Sequence, residues 1–174
     1  MDTGFLASSI RNIPDFPVKG VLFRDLTTLF ADPEAFSQAV DGAYELYKDK
    51  GITKVVGLES RGFILGAALA YRLHAGFSVI RKKGKLPFST YSETYMKEYG
   101  PDTIEMQTDA ISKDDVVLLH DDLLATGGSA SAALRLLSRF SPAKVYVNFL
   151  VELEDLSGRA ALPSGVEVTS LLKL

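Results

Sequence analysis

The 174-residue sequence contains no cysteine, which excludes thiol catalysis, zinc–thiolate sites and a disulfide scaffold. Its two histidines, His74 and His120, are too few for a multi-histidine metal centre. Neither sign of charge dominates. With 19 basic and 22 acidic side chains the net charge is −3, which argues against a general nucleic-acid coat protein. The start, MDTGFLASSIR, lacks the basic residues and apolar core of a secretory signal. The longest apolar stretch, GFILGAALAY at 62–71, falls far short of the ~20 residues that span a bilayer. The expectation is a cytoplasmic protein with neither membrane nor nucleic acid as partner. A Walker-type GxxxxGK[ST] loop is absent, and so is a GxGxxG dinucleotide fingerprint after a strand.

Apolar residues make up 47% of the chain and charged ones 24%, ordinary values for a globular protein. A chain of this length buries roughly 70% of the surface its unfolded form exposes, so one domain over 1–174 can hold a core without staples. Strand-like and helix-like segments alternate. Residues 2–11 suggest a short helix, 13–20 an irregular stretch around two prolines, and 21–26 a short extended segment. From Asp32, the residues Phe36, Val40, Ala43, Tyr44 and Tyr47 recur at helical spacing up to Gly51. TKVVGL (53–58), FSVIR (77–81), DVVLLHDD (115–122), KVYVNFLVEL (144–153) and the terminal VEVTSLLKL read as strands. A nearly all-apolar helix follows SRG, a second helix follows ATGG, and LSGRAAL reads as a short helix. TIEMQ (103–107) alternates like an edge strand. The stretch 82–102 lacks periodicity and reads as a long loop. Strands separated by helices imply βαβ units and a mostly parallel central sheet flanked by helices, an α/β fold. Ligands of such sheets bind beyond the carboxyl ends of the strands, here the turns at 59–62, 81–85 and 121–129.

The segment VVLLHDDLLATGGSA (116–130) carries the most chemistry. An apolar strand delivers Asp121 and Asp122 to the sheet edge, and Ala125-Thr126-Gly127-Gly128-Ser129 then opens a helix. Two glycines admit close backbone approach, Thr126 and Ser129 offer hydroxyls, and a helix N-terminus offers unpaired N–H groups; together they suit a phosphate monoester. The carboxylates suit sugar hydroxyls or a hydrated metal ion. The plainer reading, a capped strand and an ordinary turn, leaves the combination unexplained. Four cations within 81–85 (Arg81, Lys82, Lys83 and Lys85) would ordinarily be a solvated run, but they follow a strand.

These residues resemble the phosphoribosyl-pyrophosphate (PRPP) motif of type I phosphoribosyltransferases. Over about 10–174 the chain is similar to the adenine phosphoribosyltransferase family. The match includes IPDFPVKGVLFRDLTTL (13–29), GLESRGFILG (57–66), IRKKGKLP (80–87), YMKEYGPDTIEMQ (95–107) and LVELEDLSGRAAL (150–162). Departures are Ser129 for threonine, His120 for Val or Ile, and Lys97 for leucine. Ala125 stands where 6-oxopurine enzymes usually carry an Asp.

The resemblance implies the type I phosphoribosyltransferase fold, with a small N-terminal hood from about 1–30 and a flexible loop at about 82–102. The reaction implied is adenine plus PRPP giving AMP and pyrophosphate, with Mg²⁺ held mainly by PRPP and water and no direct protein ligand assigned. It implies catalytic roles for Glu98, Arg61 and Lys85, with Glu98 handling a proton near the purine. PRPP or AMP would meet Arg61, Arg81, Lys85, Tyr99, Asp121, Asp122, Ala125, Thr126, Gly127, Gly128 and Ser129. Adenine would meet Leu22, Phe23, Arg24 and Leu153, with Phe23 stacked on the ring. A homodimer is implied, one basic residue reaching the partner's site, and so is a non-proline cis peptide between Glu59 and Ser60. Two other classes stay open. A PRPP-sensing regulator would need a DNA-binding addition that 174 residues leave little room for. An acidic interaction module would leave the 121–129 segment unexplained.

Overall fold

The computed structural model describes residues 1–97 and 100–174, with Lys97 in its main chain only. The chain opens with helix α1 (Thr3–Ser8), whose first turn is capped by Asp2 accepting the Phe5 N–H at 3.0 Å. Strands β1 (Arg11–Pro14) and β2 (Leu22–Asp25) then form a separate antiparallel ribbon, from Arg11 opposite Asp25 to Pro14 opposite Leu22. Helix α2 (Thr27–Ala31) leads into α3 (Pro33–Tyr47). Asp32 accepts the Ala35 N–H at 2.8 Å and Pro33 takes the first turn, a start signal worth about 1 kcal/mol.

Next come β3 (Lys54–Leu58), α4 (Gly62–Arg72), β4 (Gly76–Lys82), β5 (Thr90–Lys97), β6 (Gly100–Gln107), β7 (Val116–Leu124), α5 (Gly128–Ser138), β8 (Lys144–Glu152) and β9 (Glu167–Lys173). Two 3-10 turns, Glu154–Leu156 and Gly158–Ala161, join β8 to β9. One seven-stranded sheet has the order β5-β6-β4-β3-β7-β8-β9. The run from β4 to β9 is parallel, while β6 pairs antiparallel with β4 and β5 antiparallel with β6. Val55, Leu118 and Leu150 face α1, α3 and α4 in one apolar layer. Val56, Leu119 and Phe149 face α5 in the other. The expected α/β arrangement is therefore present. Among the described residues no helix is long and apolar enough to cross a membrane.

Three expectations need correction. The stretch 82–102 is not a loop, because residues 90–97 form the edge strand β5 in a hairpin with β6. Its inward face carries Tyr91, Glu93 and Tyr95; Glu93 meets Arg135 of α5 at 2.6 Å, so a charge pair stands where an apolar residue would have marked the alternation. That strand, not TIEMQ, is the edge. Residues 13–14, read as irregular, belong to β1, and α2 was not foreseen.

One row of the core is polar. His120, Asn148 and Thr169 are register partners on β7, β8 and β9, and Tyr47 of α3 lies over them. His120 is fully buried, and burial outweighs its Asn148 hydrogen bond to push its pKa down to about 4. The unfolded chain binds this proton near pH 6.5, so stability is full above that value and is lost as pH falls towards 4. Unfolding free energies of the parent and His120→Val, measured from pH 7 to 4.5, are expected to diverge by up to about 3 kcal/mol, the parent losing more. Parallel pH curves would contradict a buried neutral imidazole.

Candidate functional site

β3 and β7 are neighbours, and both end at the same sheet edge. Each feeds a helix whose first turn points back at that edge: β3 through Glu59-Ser60-Arg61 into α4, and β7 through Ala125-Thr126-Gly127 into α5. The Glu59–Ser60 peptide is cis. Between the two turns lies a cleft of about 330 Å³, lined on one side by 59–61 and on the other by 121–127, Ser129 and Ala130. Gly128 forms the first turn of α5 directly behind it.

Glycine has a specific task here. Gly127 sits at φ +81°, and a Cβ there would run into the Gly158 carbonyl oxygen; a Cβ on Gly158 would run into the Ala125 carbonyl. The loop can lie flat on the 158–161 turn only because both positions lack side chains. This turns the N-terminal N–H groups of α5, with the Thr126 and Ser129 hydroxyls, towards the cleft.

Opposite stands the acid pair. The Asp121 carboxylate accepts the Asp122 N–H at 2.9 Å. Asp122 is 4% exposed, and its Oδ2 lies 2.6 Å from Arg61 Nε, but too far off line for a hydrogen bond. Burial, and then the charge of Asp122, hold the Asp121 carboxyl well above the usual carboxylate range. Burial also raises Asp122, and Arg61 only partly offsets it. The pair is thus short of positive charge and hydrogen-bond donors, which a bound ligand would supply. Among the described residues there is no cluster of three or more side chains fit to hold a metal ion by itself. An unsatisfied acid pair does fit a hydrated cation brought in by a polyanionic ligand.

The basic segment is placed differently. Arg81 forms a two-pronged pair with Glu59 (3.2 and 3.3 Å), and Glu59 also accepts the Lys82 N–H at 2.7 Å. Burial alone would raise Glu59, but the Lys82 N–H and the Arg81 guanidinium outweigh it and leave it below its usual value. Lys82 pairs with Asp102, and Glu105 accepts the Gly84 N–H at 2.9 Å. Arg81 and Lys85 are not among the residues lining the cleft; they stand behind Glu59, with the Lys85 carbonyl accepting weakly from Arg81 at 3.5 Å. Sequence reasoning missed Glu59 as the tie between the two turns. Its signal was positional: Leu58 and Ile80 are register partners, so Glu59 and Arg81 follow side by side.

A second cleft of about 530 Å³ opens under the β1–β2 ribbon and brings together Leu22, Arg24 and Leu153, with Thr126 common to both clefts. Phe23 lines neither; its ring lies edge-on to Phe16 at 5.1 Å, with the Arg61 guanidinium 5.8 Å above. It marks the seam between the clefts. Glu98 and Tyr99 lie outside the described residues.

A helix start open to an anion, a strand-end acid pair and an adjoining, mostly apolar cleft stand beside what whole-chain comparison finds. The family model described as "Phosphoribosyl transferase domain" matches residues 26–161. The chain belongs to the phosphoribosyltransferase family. An adenine phosphoribosyltransferase of Phocaeicola vulgatus is 57% identical over 169 residues, 97% of each chain. Among solved structures in the family, adenine phosphoribosyltransferase of Rhodothermus marinus superposes with a TM-score of 0.92 at 49% identity, over 99% of this chain and 98% of that one. That of Saccharomyces cerevisiae, complexed with an imino-altritol bisphosphate and adenine, gives 0.92 at 39% identity over 98% of both.

The acid pair predicts a trade of stability for binding. Asp121 is raised on folding, so its cost is absent below the usual carboxylate pKa and grows as pH rises through the folded value. Asp121→Asn is expected to stabilise the ligand-free protein by about 1–3 kcal/mol at pH 7.5, the gain fading towards pH 3.5. Denaturant unfolding at both pH values checks this, and a variant less stable than the parent at pH 7.5 would contradict it.

Proposed function

We propose that the chain is an adenine phosphoribosyltransferase of purine salvage. It joins adenine N9 to C1′ of PRPP; the C1′–O bond to pyrophosphate breaks, and N9 gives up its proton, forming AMP. The observation that carries this reading is the pair of clefts meeting at Thr126, one polar and suited to anions and hydroxyls and one mostly apolar. Relatives that match end to end, such as the P. vulgatus protein, support the same reading.

In this reading the start of α5, with Thr126, Gly127, Gly128 and Ser129, holds the 5′-phosphate. Asp121 and Asp122 accept from the ribose hydroxyls and favour the positive charge that develops on the sugar. Arg61 and the 59–61 turn receive the pyrophosphate. Arg81 and Lys85 add positive charge to it, Arg81 only by exchanging Glu59 for the ligand or by serving a second copy. Asp121 and Asp122 would hold a hydrated Mg²⁺ carried in with PRPP, and the cation would supply positive charge to the pyrophosphate. Glu98 and Tyr99 are assigned to closure over the sugar and to the N9 proton on the resemblance alone. The acceleration rests on positioning and fixed charge.

A homodimer belongs to the same reading. The outer face of α4 presents Ile64, Ala67 and Tyr71 to solvent, with Tyr71 85% exposed, an apolar stripe suited to a second copy. A cytoplasmic location follows from the phosphorylated substrates.

The base is assigned to the second cleft, where main-chain groups of Leu22 and Arg24 would meet its amino edge. A 6-oxopurine reverses donor and acceptor at positions 6 and 1, leaving two groups unpaired at about 1–3 kcal/mol each. Ala125 offers no carboxylate to such a ring. Measured as AMP or IMP formation from PRPP, kcat/KM is expected to favour adenine over hypoxanthine by roughly 10²- to 10⁴-fold. Equal values would reject the assignment of the base.

A further inference from the structure

The buried polar row runs in one direction. Asn148 Nδ2 donates to Thr169 Oγ1 at 2.9 Å, so its amide oxygen faces His120 Nδ1, also at 2.9 Å. The imidazole is neutral, so Nδ1 carries the proton and donates. Tyr47 donates to the Val147 carbonyl at 3.1 Å, which leaves its oxygen to accept from Thr169, 2.6 Å away. The chain is therefore His120 to Asn148 to Thr169 to Tyr47 to the main chain of β8, crossing three strands and one helix. Each donor polarises the next.

Among the described residues His120 Nε2 has no partner, although the ring is fully buried. An apolar residue would fill this layer at less cost, so packing alone does not explain an imidazole here. Its position does. His120 is the last residue at which β7 is paired on both sides, with Gly57 of β3 and Asn148 of β8. One residue further on, Asp121 is paired with β8 only. The His120 carbonyl also supports the other loop: a Cβ on Gly62 would lie 2.9 Å from it and 3.0 Å from Asp121 Oδ1. Gly62 begins α4, directly after Arg61. His120 thus touches the bases of both turns that frame the anion cleft and enters neither.

We propose that His120 is a positioning residue for the PRPP cleft: its hydrogen bond to Asn148 fixes the end of β7, and through it the acid pair and the Arg61 turn. The inference rests on reading that cleft as the PRPP site. Removing the hydrogen bond frees the strand end, and two like charges held side by side move apart. The ribose and pyrophosphate contacts loosen, while the adenine cleft, which shares Thr126 but takes most of its lining from the hood and the segment after β8, changes less.

The test measures steady-state KM for Mg-PRPP, KM for adenine, kcat and Tm in His120→Val, Asn148→Leu, their double variant, and His120→Gln, which keeps an N–H donor. Thr169→Val stands in if Asn148→Leu does not fold. Expected is a KM for PRPP raised roughly 5- to 20-fold in both single variants, with kcat and KM for adenine changed less than about threefold. The double variant is expected to match either single one, and His120→Gln to recover most of the loss. A KM for PRPP within about twofold of the parent in both single variants would overturn the proposal, and so would effects that multiply in the double variant. Equal shifts in both KM values would show a merely structural role and overturn it too. A parent that neither binds nor uses PRPP fails the reading of the cleft instead, a result separable from all of these.

Discussion

Two adjacent carboxylates at the end of one strand, Asp122 buried and Asp121 half-buried, set the terms for the rest of the molecule together with Arg61. Asp121 and Asp122 repel each other, and Arg61 pairs with Asp122, at 2.6 Å and off line, while lowering Asp121 only slightly. Such a pair cannot be held by a loop. It needs a strand locked from both sides up to the residue before it, and β7 lies inside the seven-stranded sheet, paired with β3 and β8 as far as His120. The apolar run Val117–Leu119 anchors it, with all three residues at most 1% exposed. Strain in charge at the site is thus supported by apolar burial earlier in the same strand, the usual division between scaffold and site.

The cleft gains its donors from the same geometry. Because β3 and β7 are parallel and adjacent, both following helices start at one edge and direct their free N–H groups to one place. Close approach depends on Gly127 and Gly158, which pack main chain against main chain. Glu59 holds the basic segment at the rim, through Arg81 and the Lys82 N–H, so the cations are stored within reach of the cleft without filling it.

Much of this was legible in the sequence. β3, β7 and β8 show as mostly apolar runs because both their faces are covered, and Gly127-Gly128 marks a helix that begins at the cleft. β5 was not legible, because Glu93 uses Arg135 where an apolar neighbour would have completed the alternation. α2 has five residues and no side-chain cap to announce it. The grip of Glu59 on Arg81 depends on strand register, and the row from His120 to Tyr47 on partners up to 122 residues apart. A local pattern carries neither. His120 stood out only as a departure from the family's Val or Ile, which by itself does not say what it touches.

The central claim is that the acid pair is held in an unfavourable charge state until a ligand relieves it. Carbon-13 NMR of the side-chain carboxyls of Asp121 and Asp122, titrated in the free protein and with PRPP and Mg²⁺, tests this directly. The account predicts that in the free protein the pair titrates above the ordinary carboxylate range, Asp121 well above it, and that the ligand brings both down. Two carboxyls titrating in the usual aspartate range in the free protein, unmoved by the ligand, would contradict it.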